Sequence, residues 1–139
     1  MELKTPMEYA GEAYMAKSHG EEDEAGRLAQ IALRGFEFDG DYVSAGNAAR
    51  DAGLEDIAFE MFDMAIAEKQ KEGNPLGAAL VADMAGIRRK ANDLYESLAE
   101  EHAKAKTPDY LKAAFMAEMA GLKAMTQEYK KAYRKLWPI

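Results

Sequence analysis

Small side chains recur in this chain at intervals of about 35 residues, and that recurrence constrains the fold more than any other feature. Gly11-Glu12-Ala13, Gly46-Asn47-Ala48, Ala82-Asp83-Met84 and Ala117-Glu118-Met119 follow one another at this spacing. Residues 78–88 and 113–123 align without a gap: Ala-Ala-Leu-Val-Ala-Asp-Met-Ala-Gly-Ile-Arg against Ala-Ala-Phe-Met-Ala-Glu-Met-Ala-Gly-Leu-Lys. A period of that length on a helical background reads as stacked helix–turn–helix units, none of which buries its apolar face alone. Gly or Ala at the first place lets a neighbouring helix come close, where a larger side chain would hold it off.

The background is helical throughout. Ala, Glu, Lys, Leu and Met dominate, and β-branched runs that would build a sheet are missing. Thr5-Pro6, Asn74-Pro75 and Thr107-Pro108 combine a capping side chain with proline in the first turn, where its lost N–H costs nothing. Ser18-His19-Gly20, Asp39-Gly40-Asp41 and Gly53 mark further breaks. Glu21-Glu22-Asp23-Glu24 suits the positive end of a helix dipole. Residues 75–106 and 108–137 carry no glycine–proline break. Each is therefore expected as one helix of about 30 residues or as two short ones, with Asn92-Asp93 and Thr126 as the candidate caps. A single all-helical domain over 1–139 follows, with units at about 6–38, 39–73, 74–106 and 107–137.

Charge is uneven. Residues 1–75 hold 7 Lys/Arg against 17 Asp/Glu, and residues 76–139 hold 11 against 8. An acidic front repels nucleic acid, so none is expected as a partner. No apolar run reaches the roughly 18–20 residues of a membrane span, and the opening Met-Glu-Leu-Lys-Thr-Pro lacks the basic-then-apolar order of a secretory leader. With no cysteine for disulfides or thiolate metal sites, a cytoplasmic protein away from membranes is expected.

The second unit carries Gly46, Ala49, Gly53, Ala58, Phe62 and Ala65, and the first carries Gly11, Tyr14, Gly20, Ala25, Ala29 and Ala32. On these residues the chain resembles the tetratricopeptide repeat family. The third and fourth units match in their first helix, but without the turn glycine and most of the second-helix pattern. The resemblance implies an all-α solenoid of helical hairpins. The competing architecture is a helical bundle in which 75–137 form a long antiparallel hairpin.

Residues for catalysis do not assemble. His19 sits in a turn, and His102 has Ala99 where a bundle metal site wants Glu three residues earlier. No paired-histidine zinc motif or phosphate-binding glycine loop is present. Ser18, Ser44 and Ser97 have no base nearby in sequence. The expectation is a non-enzyme without metal or cofactor.

The resemblance implies instead a groove lined by first helices that holds a peptide or helix of a partner protein. Carried over, the lining residues are Glu8, Tyr9, Glu12, Ser44, Asn47, Arg50, Asp51, Leu80, Asp83, Phe115 and Glu118. Glu12 and Asp83 disfavour an acidic tail, so a basic, partly apolar segment is the expected ligand of this adaptor or assembly module. In the last helix Tyr129, Tyr133, Leu136 and Trp137 form an apolar stripe beside Lys130, Lys131, Arg134 and Lys135. It reads as a closing cap with its aromatics packed inward, or as a dimer contact if Trp137 is exposed. The rival function is a helical-bundle regulatory protein or enzyme subunit that touches nucleic acid or anionic lipid through this helix. Most of the nine methionines read as core fillers.

Overall fold

Glycines in the left-handed region divide the chain into hairpins. The structure, a computed structural model, describes residues 3–137. Met1 and Glu2, where the leader expectation starts, lie outside them, as do 138–139. Among the described residues the architecture is all-α: α1 (Pro6–Ser18), α2 (Glu22–Phe38), α3 (Tyr42–Asp51), α4 (Glu55–Lys71), α5 (Pro75–Met84), α6 (Arg88–Lys104), α7 (Tyr110–Met119) and α8 (Lys123–Leu136). Short and long helices alternate: α3, α5 and α7 have 10 residues each, and α2, α4 and α6 have 17. Two compact units result, Met1–Ala67 and Glu68–Ile139. In the first, α2 packs on α1 and α3; in the second, α6 packs on α5 and α7, and α7 on α8.

The four hairpin turns are built alike. Gly20, Gly53, Gly86 and Gly121 have φ between 76° and 79°. The next N–H donates back across the turn, from Glu21 to Ala16, Leu54 to Ala49, Ile87 to Ala82 and Leu122 to Ala117, at 2.8–3.0 Å. This closure satisfies a carbonyl that the helix end would leave bare, and it needs a residue that enters positive φ without strain. Residues 75–137 are thus four helices, neither one long hairpin nor helices of about 30 residues. The glycines thought missing from the third and fourth units are Gly86 and Gly121.

The expected caps there were misplaced. Asn92 and Asp93 lie inside α6, and Thr126 lies inside α8, where its buried hydroxyl donates to the Leu122 carbonyl at 2.8 Å. Asp109, not Thr107, caps α7 by accepting the Lys112 N–H at 3.0 Å. A capping side chain permits a helix start, whereas a left-handed glycine ends the previous helix and so decides where the next begins. Thr5, Asp41 and Asn74 do cap their helices, accepting the N–H of Glu8, Ser44 and Gly77.

Counted from the turn glycines, the repeat register also moves. Seven residues ahead stand Ala13, Gly46, Ala79 and Ala114; four ahead stand Ala16, Ala49, Ala82 and Ala117, and all eight are buried. Gly46 does admit a neighbour, since a Cβ there would lie 2.7 Å from the Phe62 ring. Gly11 does not: it is exposed, and a Cβ would meet nothing within 4 Å. Ala13 holds the place expected of Gly11.

Two substitutions separate these roles. Gly11→Ala should raise the unfolding free energy by about 1 kcal/mol, the helix-propensity difference. Gly86→Ala should lower it by about 1–2 kcal/mol, because alanine is strained at positive φ. Urea denaturation reads both, and a loss at Gly11 or a gain at Gly86 would contradict this register.

Candidate functional site: the exposed faces of the first helices

Alanine on the buried side and large apolar residues on the exposed side make α5 and α7 the reverse of ordinary amphipathic helices. The buried face of α5 is Ala78, Ala79, Val81 and Ala82; that of α7 is Ala113, Ala114, Met116 and Ala117. Small side chains there allow close helix packing. Leu76, Leu80 and Met84, four residues apart on one face of α5, are nevertheless exposed, Leu80 by 51%. Leu111 and Phe115 repeat the pattern on α7, with Phe115 exposed by 56%. These large apolar side chains thus face water, where a helix of this composition ordinarily turns them to a core.

The turn-glycine register organises the eleven candidate residues. Six residues ahead of the glycine come Tyr14, Asn47, Leu80 and Phe115; three ahead come Lys17, Arg50, Asp83 and Glu118. Six of the candidates thus occupy two equivalent positions one helical turn apart. Ser44 and Asp51 flank them on α3. Sequence reasoning missed Tyr14 and Lys17 at these positions of α1 and the exposed Leu76, Met84 and Leu111 of α5 and α7, although the spacing of Leu76, Leu80 and Met84 is visible in the sequence. Met64 and Met84 are exposed and Met61 and Met116 buried, so core filling accounts for only some of the methionines.

Glu8, Tyr9 and Glu12 stand apart. Glu8 aligns with the caps Asp41, Asn74 and Asp109, and Tyr9 packs partly against the core of α1 and α2. Glu12 pairs with Lys4 at 2.5 Å and aligns with the buried Ala45, Ala78 and Ala113, not with Asn47. Glu8 and Glu12 line a groove of about 840 Å³ between α1 and α2, with Met15, His19, Glu21 and Glu24.

Several polar candidates are engaged locally. Arg50 donates to Asn47 Oδ1 at 2.9 Å and lies 5.3 Å from the Phe62 ring centre, a cation–π arrangement that holds both groups in place. Asp83 accepts from Arg88 at 2.6 Å, and the Tyr95 hydroxyl donates to it at 3.4 Å. The Lys17 ammonium donates to the Asp51 carbonyl at 3.0 Å and so ties α1 to α3.

Beside that tie lies a cavity of about 570 Å³ lined by Ala10, Ala13, Ala25, Gly26, Ala29 and Ala48, with Lys17, Glu22 and Asp51 among the polar lining residues. Its origin is a size difference. Nine residues after the turn glycine the second and third hairpins place Phe62 and Tyr95, whereas the first places Ala29.

In α8 the aromatic stripe divides. Tyr129 is half-buried and stacks on Tyr110 with ring centres 6.4 Å apart, and Tyr133 is half-buried. Leu136 and Trp137 are exposed, Trp137 by 65%. The inward-packed cap therefore describes only the first half of the stripe.

Among the described residues no three His, Asp or Glu side chains converge as a metal site would require, and no helix is long and apolar enough to cross a membrane. Compared with family models, curated proteins and solved structures, the chain matches none of them.

Proposed function

We propose that the chain is a non-catalytic protein-binding module of tetratricopeptide-like hairpins, an adaptor or assembly protein, whose first helices take a segment of a partner. The observation that carries this reading is the pairing of buried alanine with exposed Leu76, Leu80, Leu111 and Phe115 on α5 and α7. These side chains are already about half covered, so burial of the remainder by a ligand is worth about 1 kcal/mol each. Glu118 beside them favours a segment that combines apolar residues with Lys or Arg, while the Asp83 carboxylate is already paired with Arg88. The first unit, taken by itself, has an alanine-lined cavity with room for an apolar side chain of a ligand.

Selection of random peptides on the purified chain tests this. Enrichment of basic, apolar sequences is expected, and Leu80→Ser with Phe115→Ser should weaken the best of them about 30-fold or more, as loss of a hot spot does. Asp83→Lys should weaken them less. Selection of acidic peptides, or affinity indifferent to the serine pair, would overturn the reading.

A further inference from the structure

Ala45 and Ala48 of α3 and Ala52 just after it stand at helical spacing; Ala48 and Ala52 line one cavity with Ala25, Gly26 and Ala29 of α2. At the equivalent places Ala113 and Met116 of α7 and Ala120 just after it are buried, and α7 packs on α6. In both units a long second helix thus sits beside the short helix that follows it. The same three positions in and just after α1 are Glu12, Met15 and His19. They line the open groove of about 840 Å³, and Met15 is 54% exposed where Ala48 and Met116 are buried. This groove has the register of a seat for a second helix, and among the described residues no helix fills it.

The chain also carries a second helix with an exposed surface. α8 displays Leu136, with Trp137 just after it, together with Lys131, Arg134 and Lys135, while Lys130 is half-buried. The groove is lined by Glu8, Glu12, Glu21 and Glu24, of which Lys4 and Arg27 neutralise Glu12 and Glu24 through ion pairs, leaving Glu8 and Glu21 as net negative charge. Opposite charges across the contact steer association and set its direction.

We infer that α8 of one copy occupies the groove between α1 and α2 of a second copy, so that the chain associates head to tail. The contact continues between molecules the packing that α2 with α3 and α6 with α7 make within one. Because its two faces differ, it is heterologous and extends to rings or open chains rather than a symmetric dimer. It uses other helices than the α5 and α7 stripe, so loss of peptide binding there leaves it standing.

Sedimentation velocity of the 139-residue chain over a wide concentration range tests the inference. Mass above the monomer should grow with concentration and fall in about 1 M salt, where the screening length is about 3 Å. Glu8→Lys with Glu21→Lys, and separately Lys131→Glu with Arg134→Glu, should each weaken association about tenfold or more. An equal mixture of the two variants should restore it, because each groove then meets an α8 of opposite charge. Trp137→Ala should weaken association without changing its salt dependence. Circular dichroism equal to that of the parent establishes that each variant is folded.

A monomer at every concentration would overturn the inference, as would association indifferent to charge reversal or a mixture that stays monomeric. Binding of α8 to anionic vesicles, lost in Lys131→Glu with Arg134→Glu while mass is unchanged, would assign the helix to a lipid surface instead.

Discussion

Phe62→Ala is expected to lower the unfolding free energy by about 3–5 kcal/mol, the range for removing a buried aromatic ring. That is a large share of the roughly 5–15 kcal/mol available to a domain. Phe62 is fully buried, its ring lies against the backbone of Gly46, and the Arg50 guanidinium rests over it. The substitution leaves a cavity at the seam of α3 and α4, and Arg50 loses its aromatic support. A companion measurement isolates the contact. In the parent, Gly46→Ala should destabilise, because the added methyl meets a ring with no room to move, at about 1–3 kcal/mol against about 1 kcal/mol of helix propensity. In the Phe62→Ala background the clash is gone, and Gly46→Ala should stabilise by about 1 kcal/mol. Urea denaturation of the four proteins gives the cycle, and a Gly46→Ala effect of the same sign in both backgrounds would refute the close approach of these helices.

Tyr95→Ala should cost the second unit a similar amount, about 3–5 kcal/mol, since Tyr95 is only 1% exposed. Tyr95→Phe should cost less than about 1 kcal/mol, because the hydroxyl meets Asp83 at a long 3.4 Å. The two substitutions therefore distinguish ring packing from hydrogen bonding. Burial, followed by the Asp83 carboxylate, raises the pKa of Tyr95 above its ordinary value of 10.0. The folded state thus favours the neutral phenol. The stability this contributes is complete below the ordinary value and is lost as pH rises through the higher folded-state value. Tyr95→Phe should accordingly be less sensitive to alkaline unfolding than the parent. Tyr129, raised by burial and then by Glu100, keeps part of that sensitivity in both proteins. Equal alkaline profiles would show that Tyr95 ionises without cost.

The helical class was plain from composition, and the caps Thr5 and Asn74 from their place before a proline; Asp41 was legible only as part of a break, and the structure makes it a cap. The gap-free match of 78–88 with 113–123 contained the answer to the C-terminal half, because Gly86 and Gly121 sit in it at corresponding places. They give no sign of a helix boundary, because Ile87 and Leu122 follow them where a proline or a capping residue would announce a helix start. The site was legible in part. Asn47, Leu80 and Phe115, like Arg50, Asp83 and Glu118, turn out to share a position, although Glu12 was grouped with them on a register that starts from Gly11. Leu76, Met84 and Leu111 escaped notice because leucine and methionine on a helix ordinarily mean core.

Ala10-Gly11-Glu12-Ala13 and Ala45-Gly46-Asn47-Ala48 show where local information stops. The two are nearly the same in sequence, yet Gly46 lies against Phe62 and Gly11 faces water. The sequence by itself determined the helices, most of their caps and the glycines that turn the chain, because propensity, capping and positive φ act within a few residues. Only the tertiary structure decided which small residues stack, why alanine lies inward and leucine outward on α5, and which face of α1 stays open. Those depend on partners a whole helix or more away along the chain, and burial is a property of the partners as much as of the residue.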